Sequence, residues 1–436
     1  MKTYFNETIN TIESLRRENE GFLLSFNGED TENVRFSQGK VRQPSNQYQA
    51  EIALTWIDGQ RQAKADVALT MDHEEDKELL SSLIENLRQS ISVSPEYTLF
   101  DYNREPVSTC RDVEKSFNES TKIVSDIVRS SKEYDLVGLL VMGQQYIGFA
   151  NHLGQINWAA YDDFTFSWSI FITADKAAKG SYSGDVWSLD AFQVKLQDSA
   201  RDAEIMKRDA ITLEPGEYRV YLSPAAVDHL TWFFDCGYGA VRNKSSLLQK
   251  LHDGEESLSP LLTVNENFDI GMRPDFNDSG FIAKSRTVIN QGKTVSLFVS
   301  PTTGAEFDVE HNGAGPSEYF ESLEIEPGDL AKDDVLTKLG TGIYINNLHY
   351  LNPSDRASAR ITGMTRFACF WVENGEIIAP INVMRFDDTL YRLFGSELEA
   401  LTQESEPFAI PWQLNQRPRG GYKSPGALVK SMRFTL

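Results

Sequence analysis

The segment 223–240, SPAAVDHLTWFFDCGYGA, holds the residue types from which hydrolytic or thiol chemistry is built. It reads as one helix with a lone histidine, His229, preceded by Asp228 and followed by Asp235 and Cys236. A thiol–imidazole pair needs its two groups within hydrogen-bond reach. His229 and Cys236 share a helical face, but a rise of about 1.5 Å per residue sets their backbones roughly 10 Å apart. Trp232 and Phe233 fill that face between them. The expectation is therefore a packed aromatic stripe with a satisfied histidine and a buried small thiol. Asp228 and Asp235 share another face at the same spacing. They either face water, the simpler reading, or line a chamber.

Other polar groupings carry less. DFNDSGFIAKS brings Asp275, Asn277 and Asp278 together before Gly280, as a calcium loop would. Arg286 falls at the closing position where a carboxylate is needed, so the stretch reads as turn chemistry. GAGPSEYF and LGTGIYI are rich in glycine but lack the order that cradles phosphate.

These residues sit in a chain of 436 with 42 basic and 64 acidic side chains, a formal charge of −22. Such a field repels a phosphate backbone and an anionic membrane surface, so neither nucleic acid nor membrane is an expected partner. Cys110, Cys236 and Cys369 are widely spaced and form no C-x-x-C pair. That suits a reducing compartment, and with no apolar leader at the start the expectation is a soluble cytoplasmic protein.

The elements that must position these groups follow from periodicity. Phe5, Ile9, Ile12 and Leu15 mark a helix. Tyr48, Ala50, Ile52, Leu54 and Trp56 alternate along a strand that ends at the Asp58-Gly59 turn, and Gly39 turns an earlier hairpin. Helices are expected from Asp72 to Ser90, through Val113, Phe117, Val124 and Val128, from Ser188 to Arg208, and from Asp388 to Leu401. Short strands are expected from Leu136 to Thr173, broken at NHLG. INQGK and VENGEI signal two further hairpins, and a last strand covers Ala427 to Thr435. The sequence divides before LEPGEYRVYLSP, giving domains 1–210 and 211–436, both α+β because strands and helices do not alternate regularly. The strands NQYQAEIALTW and TFSWSIFIT offer edges that either bind an extended peptide or form a subunit interface.

The ordered series VRFSQGKVRQ, WIDGQRQAKAD, GFANHLGQINW, KSSLLQKL, DFNDSGFIAKSRTVINQGK, LGTGIYINNL and FWVENGEIIAPI resembles the TldD/PmbA family, also called TldE or modulators of DNA gyrase. The resemblance implies an N-terminal α/β domain with antiparallel strands and flanking helices. It also implies a C-terminal domain of curved, barrel-like antiparallel sheet, and dimers around a chamber. In that family the TldD-type member carries an HExxxH zinc helix, and the PmbA/TldE-type member lacks it. The two act together on unstructured peptides.

Against that pattern, His229 is followed by Leu230, and Phe233 and Phe234 stand where a second histidine is needed. His73 is followed by Glu74, but Lys77 and Glu78 occupy the later positions. The cysteine expected near the C-terminus is replaced by EPFAIPWQLNQRPRGGYKSPG. A zinc hydrolase needs three protein ligands and an open position for water. No catalytic and no metal residue is assigned, and zinc is expected only in a TldD-type partner. The expected role is a non-catalytic subunit, homodimeric or paired with an HExxxH homologue, that shapes a chamber for unfolded peptide, with Asp228, His229 and Asp235 as candidate lining residues. The alternatives are a stand-alone homodimeric scaffold or a peptidase with an unrecognised site.

Overall fold

Apolar–polar alternation over unusually long runs builds the first sheet. In the computed structural model, residues 1–113, 120–173, 176–271, 273–409 and 416–435 are described. Helix α1 (Lys2–Leu15) leads into β1 (Glu20–Ser37), β2 (Lys40–Asp58) and β3 (Arg61–Leu69). Helix α2 (His73–Val93), strand β4 (Thr109–Arg111) and helix α3 (Ser120–Ser130) come next. A long hairpin of β5 (Leu136–Asn151) and β6 (Ile156–Phe171) follows, then β7 (Ala177–Gly184) and helix α4 (Leu189–Ile205). The sheet order is β3-β2-β1-β5-β6, with β4 and β7 both paired to the far side of β6. Gln38 and Gly39 join β1 to β2 with φ of 52° and 65°, the left-handed pair that a two-residue hairpin requires.

The period of two decides which face is covered. Phe22, Leu24 and Phe26 of β1 pack with Ile52 and Trp56 under α1 and α2. Further along the same register, Val34 and Phe36 join Phe164, Phe166 and Trp168 under α3 and α4. The odd-numbered residues Leu23, Phe149 and Tyr161 turn the other way and meet Phe276 of the second half.

The second half opens with β8 (Gly216–Leu222) and helix α5 (Pro224–Thr231). Its strands are β9 (Val264–Glu266), β10 (Arg286–Asn290), β11 (Lys293–Thr294), β12 (Ser322–Ile325), β13 (Gly342–Ile345), β14 (Leu348–Asp355), β15 (Arg360–Thr365), β16 (Cys369–Glu373), β17 (Glu376–Pro380), β18 (Arg385–Thr389), β19 (Leu398–Ala409) and β20 (Gly421–Phe434). They form a branched, mainly antiparallel sheet whose spine is β20, which pairs in turn with β12, β19, β8 and β18. The path runs from β11 to β17 without closing, so the sheet is open and barrel-like only in a loose sense. The fold is α+β, as expected. Among the described residues no helix is long and apolar enough to cross a membrane.

Several elements differ from the sequence reading. The short strands expected over Leu136–Thr173 are two strands of 16 residues each, because the alternation continues unbroken on either side of the NHLG turn. The helix expected over Asp388–Leu401 is strand, a single π turn at Arg392–Ser396, and strand again. Gly395 adopts a non-helical backbone there, and the Phe394 carbonyl accepts from Ser259 N instead of from a later turn of helix. Phe117, assigned to a helix, lies outside the described residues; α3 begins at Ser120.

One buried ionic group ties the halves together. Arg417 and Arg419, from the stretch before β20, both ion-pair with Asp163 on the inner face of β6. Arg419 lies with its Cζ 3.5 Å from the centre of the Tyr161 ring and donates to Gly271 O at 2.8 Å. Gln145 Nε2 donates to Arg417 O at 2.6 Å, and Arg273 Nη1 to Arg419 O at 2.7 Å. Burial alone would raise the Asp163 pKa, but the two guanidinium charges outweigh it and hold the carboxyl below its ordinary range. Removing one member of such a set leaves uncompensated charge. Asp163→Asn is expected to lower unfolding stability by about 3 kcal/mol, read by urea titration, while Asp66→Asn on exposed β3 is expected to change little.

Candidate functional site

Helix α5 starts where the sequence places it. Ser223 caps it, accepting from Ala226 N at 3.3 Å, and Pro224 takes the first turn, where its missing N–H is not needed. The Ser223 hydroxyl also donates to Asn346 O at 2.5 Å, anchoring the helix to the segment between β13 and β14. Ala226, Val227 and Leu230 sink into the main core of this half.

The helix stops at Thr231, eight residues in, rather than continuing to Ala240. Tertiary bonds take over the backbone. Phe298 N donates to Cys236 O at 2.9 Å, and Tyr238 N to Phe298 O at 2.8 Å, which draws residues 236–238 alongside Phe298. Gly237 permits that approach, since a Cβ there would stand 3.0 Å from the Glu318 side chain. A new short helix begins at Tyr238.

This break separates the residues that the sequence reading put on shared faces. Asp228 and His229 lie on α5; Asp235 and Cys236 lie beyond its end. Asp235 serves its own loop. Its carboxylate accepts from Leu247 N at 3.3 Å, and its carbonyl accepts from Ser246 Oγ at 2.9 Å and meets His252 Nε2 at 2.8 Å. Cys236 is fully buried, and burial pushes its thiol well above the usual range.

Asp228 is not solvated. The residue is only 7% exposed, Oδ1 has no hydrogen-bond partner, and burial raises its pKa to about 8. His229 is likewise not fully satisfied: Nδ1 is buried without a partner. Burial first, then the Lys179 charge and His349, hold the imidazole below its ordinary range, with only the Leu348 backbone favouring the charged form. His229 meets Trp232 edge to face, with ring centres 5.8 Å apart.

The family pattern implies zinc for a helix at this place, and these residues do not fit it. Burial favours the protonated form of the carboxyl beside His229, and the charge acting most on the imidazole is the Lys179 cation. Among the described residues no three His, Cys, Asp or Glu side chains converge to hold a metal. His73 is elsewhere, at the start of α2, stacked on Tyr4 at 4.2 Å and in contact with the Glu7 carboxylate. Asn277 forms a turn: its Oδ1 accepts from Ser279 N at 2.9 Å and Phe281 N at 3.1 Å, while Asp278 accepts from Ser25 Oγ at 3.0 Å. A cleft of about 460 Å³ between Lys250, Glu256–Pro260 and Tyr391–Ser396 shares no lining residue with α5.

Sequence reasoning missed Arg417 and Arg419, which occupy the stretch where the family pattern puts a cysteine. Two arginines at alternate positions beside proline and glycine were the available signal, because extended backbone points both the same way.

The profile described as PmbA/TldA metallopeptidase C-terminal domain matches residues 215–436. No curated protein matches the sequence. Among solved structures, TldE from Thermococcus kodakarensis has a TM-score of 0.80 at 13% identity, covering 99% of this chain and 100% of that one. A protein named as a modulator of DNA gyrase from Thermotoga maritima gives 0.76 at 14% identity, covering 99% and 100%. Another so named, from Bacteroides thetaiotaomicron, gives 0.74 at 14%, covering 100% and 98%. At these identities the likeness is one of fold.

Asp228 has a measurable consequence. Its folded pKa of about 8 stands far above the ordinary 3.8, so between those values the folded state holds a proton that the unfolded chain has lost. The stabilisation this gives is complete below the lower value and disappears as pH rises through the upper one. Asp228→Asn, which stays neutral, is expected to gain in melting temperature over the parent as pH goes from 5 to 8. The slope is at most about 1.4 kcal/mol per pH unit. A gap that stays constant across that range would show a carboxyl with an ordinary pKa.

Proposed function

The chain belongs to the PmbA/TldD family, and on that premise we propose that it is a PmbA/TldE-like subunit without its own catalytic centre. It shapes a chamber for unstructured peptide, and an HExxxH-bearing homologue supplies the zinc and the hydrolysis. The observation that carries this reading is the residue set on α5, where Leu230 follows that helix's only histidine and the buried carboxyl of Asp228 precedes it. Positioning a chain and excluding water contribute to a partner's reaction without a reactive group. The separation of strands into two sheets, one ending at Gly184 and the other starting at Gly216, supports treating 1–210 and 211–436 as two domains. Three free cysteines suit a reducing, cytoplasmic setting. The gyrase name borne by two structural neighbours gains nothing from a charge of −22.

The test is to mix the purified chain with an HExxxH homologue and follow cleavage of an unfolded peptide. The chain alone is expected to be inert, and the mixture active until a chelator is added, with a mixed assembly seen by native mass spectrometry. Chelator-sensitive cleavage by this chain alone would overturn the reading. A stable homodimer that neither joins nor stimulates the homologue would favour the scaffold alternative.

A further inference from the structure

Two cations and an imidazole of this acidic protein gather where the geometry brings no carboxylate among the described residues. Lys179, on β7, places its Nζ 4.4 Å from the centre of the Phe367 ring. Arg366 lies over the same ring, with Cζ at 5.6 Å, and His349 meets it edge-on with ring centres 6.0 Å apart. Three nitrogen-bearing side chains from both halves of the protein thus gather on one aromatic ring. Lys179 and Arg366 reach solvent. The charges acting on this group are cationic: Arg366 acts on Lys179, and both act on His349. No ion pair joins Lys179 or Arg366 to a carboxylate of the described residues. Like charges thus act on one another across this ring, and a bound anion would relieve that repulsion.

The backbone here is strained as well. Phe367 and Tyr350 have φ of 66° and 59°, a left-handed conformation unfavourable for aromatic residues. Phe367 lies just past the end of β15, and Tyr350 lies within β14 at the irregularity in its pairing between His349 and Asn352. Strain of this kind persists where the surroundings enforce it, and it gathers at ligand clamps. Tyr350 is 74% exposed, so burial of its ring is not what holds it there.

The same hairpin offers a place for a chain. Among the described residues β14 pairs with no strand but β15, and α5 packs against it near its start, where His229 bonds the Leu348 backbone. Pro353 within it, which lacks an N–H, is typical of an edge strand. An extended peptide can add to such an edge by main-chain pairing. His349 stands at the start of β14, so a peptide whose C-terminus lies there runs antiparallel to the strand.

We infer that Lys179, Arg366 and His349 form a carboxylate-binding site around Phe367, which takes the C-terminal carboxylate of an extended peptide laid along the edge of β14 that does not pair with β15. The inference rests on the peptide-chamber reading and adds to it a polarity for the bound chain. His229, which feels both Lys179 and His349, places the end of α5 next to this site.

Two measurements on the full chain test it. In the first, binding of a fluorescent unfolded peptide is compared in three forms: free acid, C-terminal amide, and amide with an internal glutamate. The free acid is expected to bind about tenfold more tightly than either amide. In the Lys179→Gln, Arg366→Gln double variant it should fall to the amide level, with amide binding unchanged. Equal binding of acid and amide, or a loss in the variant common to both, would overturn the site. So would an internal glutamate that restores full affinity, since it would assign the cations to side chains. In the second, acetylation of Lys179 is read by mass spectrometry with hippurate or with its amide present. Protection by hippurate alone is expected, and equal labelling in both would overturn the site. If hippurate protects Lys179 but no peptide binds in any form, the chamber reading falls and the carboxylate site stands. If peptides bind without regard to their terminus and hippurate gives no protection, the site falls and the chamber reading stands.

Discussion

Asp163 holds the two halves of this protein in register. It stands on the inner face of a strand whose other face is committed to packing under helices, and it receives two guanidinium groups from a segment far along the chain. Each arginine alone would be expensive to bury. Together with one carboxylate, backbone carbonyls and the Tyr161 ring they form a group that comes together only when both sheets are in place. The apolar contact of Phe276 with Phe149 and Tyr161 shares that face, so burial and charge fix the same docking.

That docking has a consequence for the region around α5. Lys179 comes from the first sheet and His349, Arg366 and His229 from the second half, so the cationic character of the place is made by assembly of the halves. A divalent cation is poorly served there, whereas an anion is well served. The buried Asp228 fits the same picture: burial favours its neutral form, which adds no negative charge next to the imidazole. A zinc site needs neutral imidazole together with further carboxylate, thiolate or imidazole ligands, and at His229 only the first condition is met among the described residues.

Much of the scaffold was legible in the residue order. Turn pairs with left-handed backbone, Gln38-Gly39, Gln291-Gly292 and Asn374-Gly375, fall where the sequence marked hairpins. Asp72 and Ser188 cap the helices they announced. Readings failed where a distant partner outbid local preference. Residues 388–401 have helical spacing, yet Ser259 takes the Phe394 carbonyl and β20 takes the flanking strands. Residues 232–240 could continue α5, yet Phe298 claims Cys236 and Tyr238.

The sequence by itself determined the α+β class, the hairpin turns and the lack of a second histidine or glutamate at the positions after His229 where zinc would need them, because these depend on local spacing or on which atoms are present. Tertiary structure alone decided where α5 ends, that Asp228 is buried rather than solvated, and that Lys179, His349 and Arg366 meet on one ring. Desolvation and through-space charge depend on neighbours brought from remote parts of the chain, and no local pattern encodes those distances.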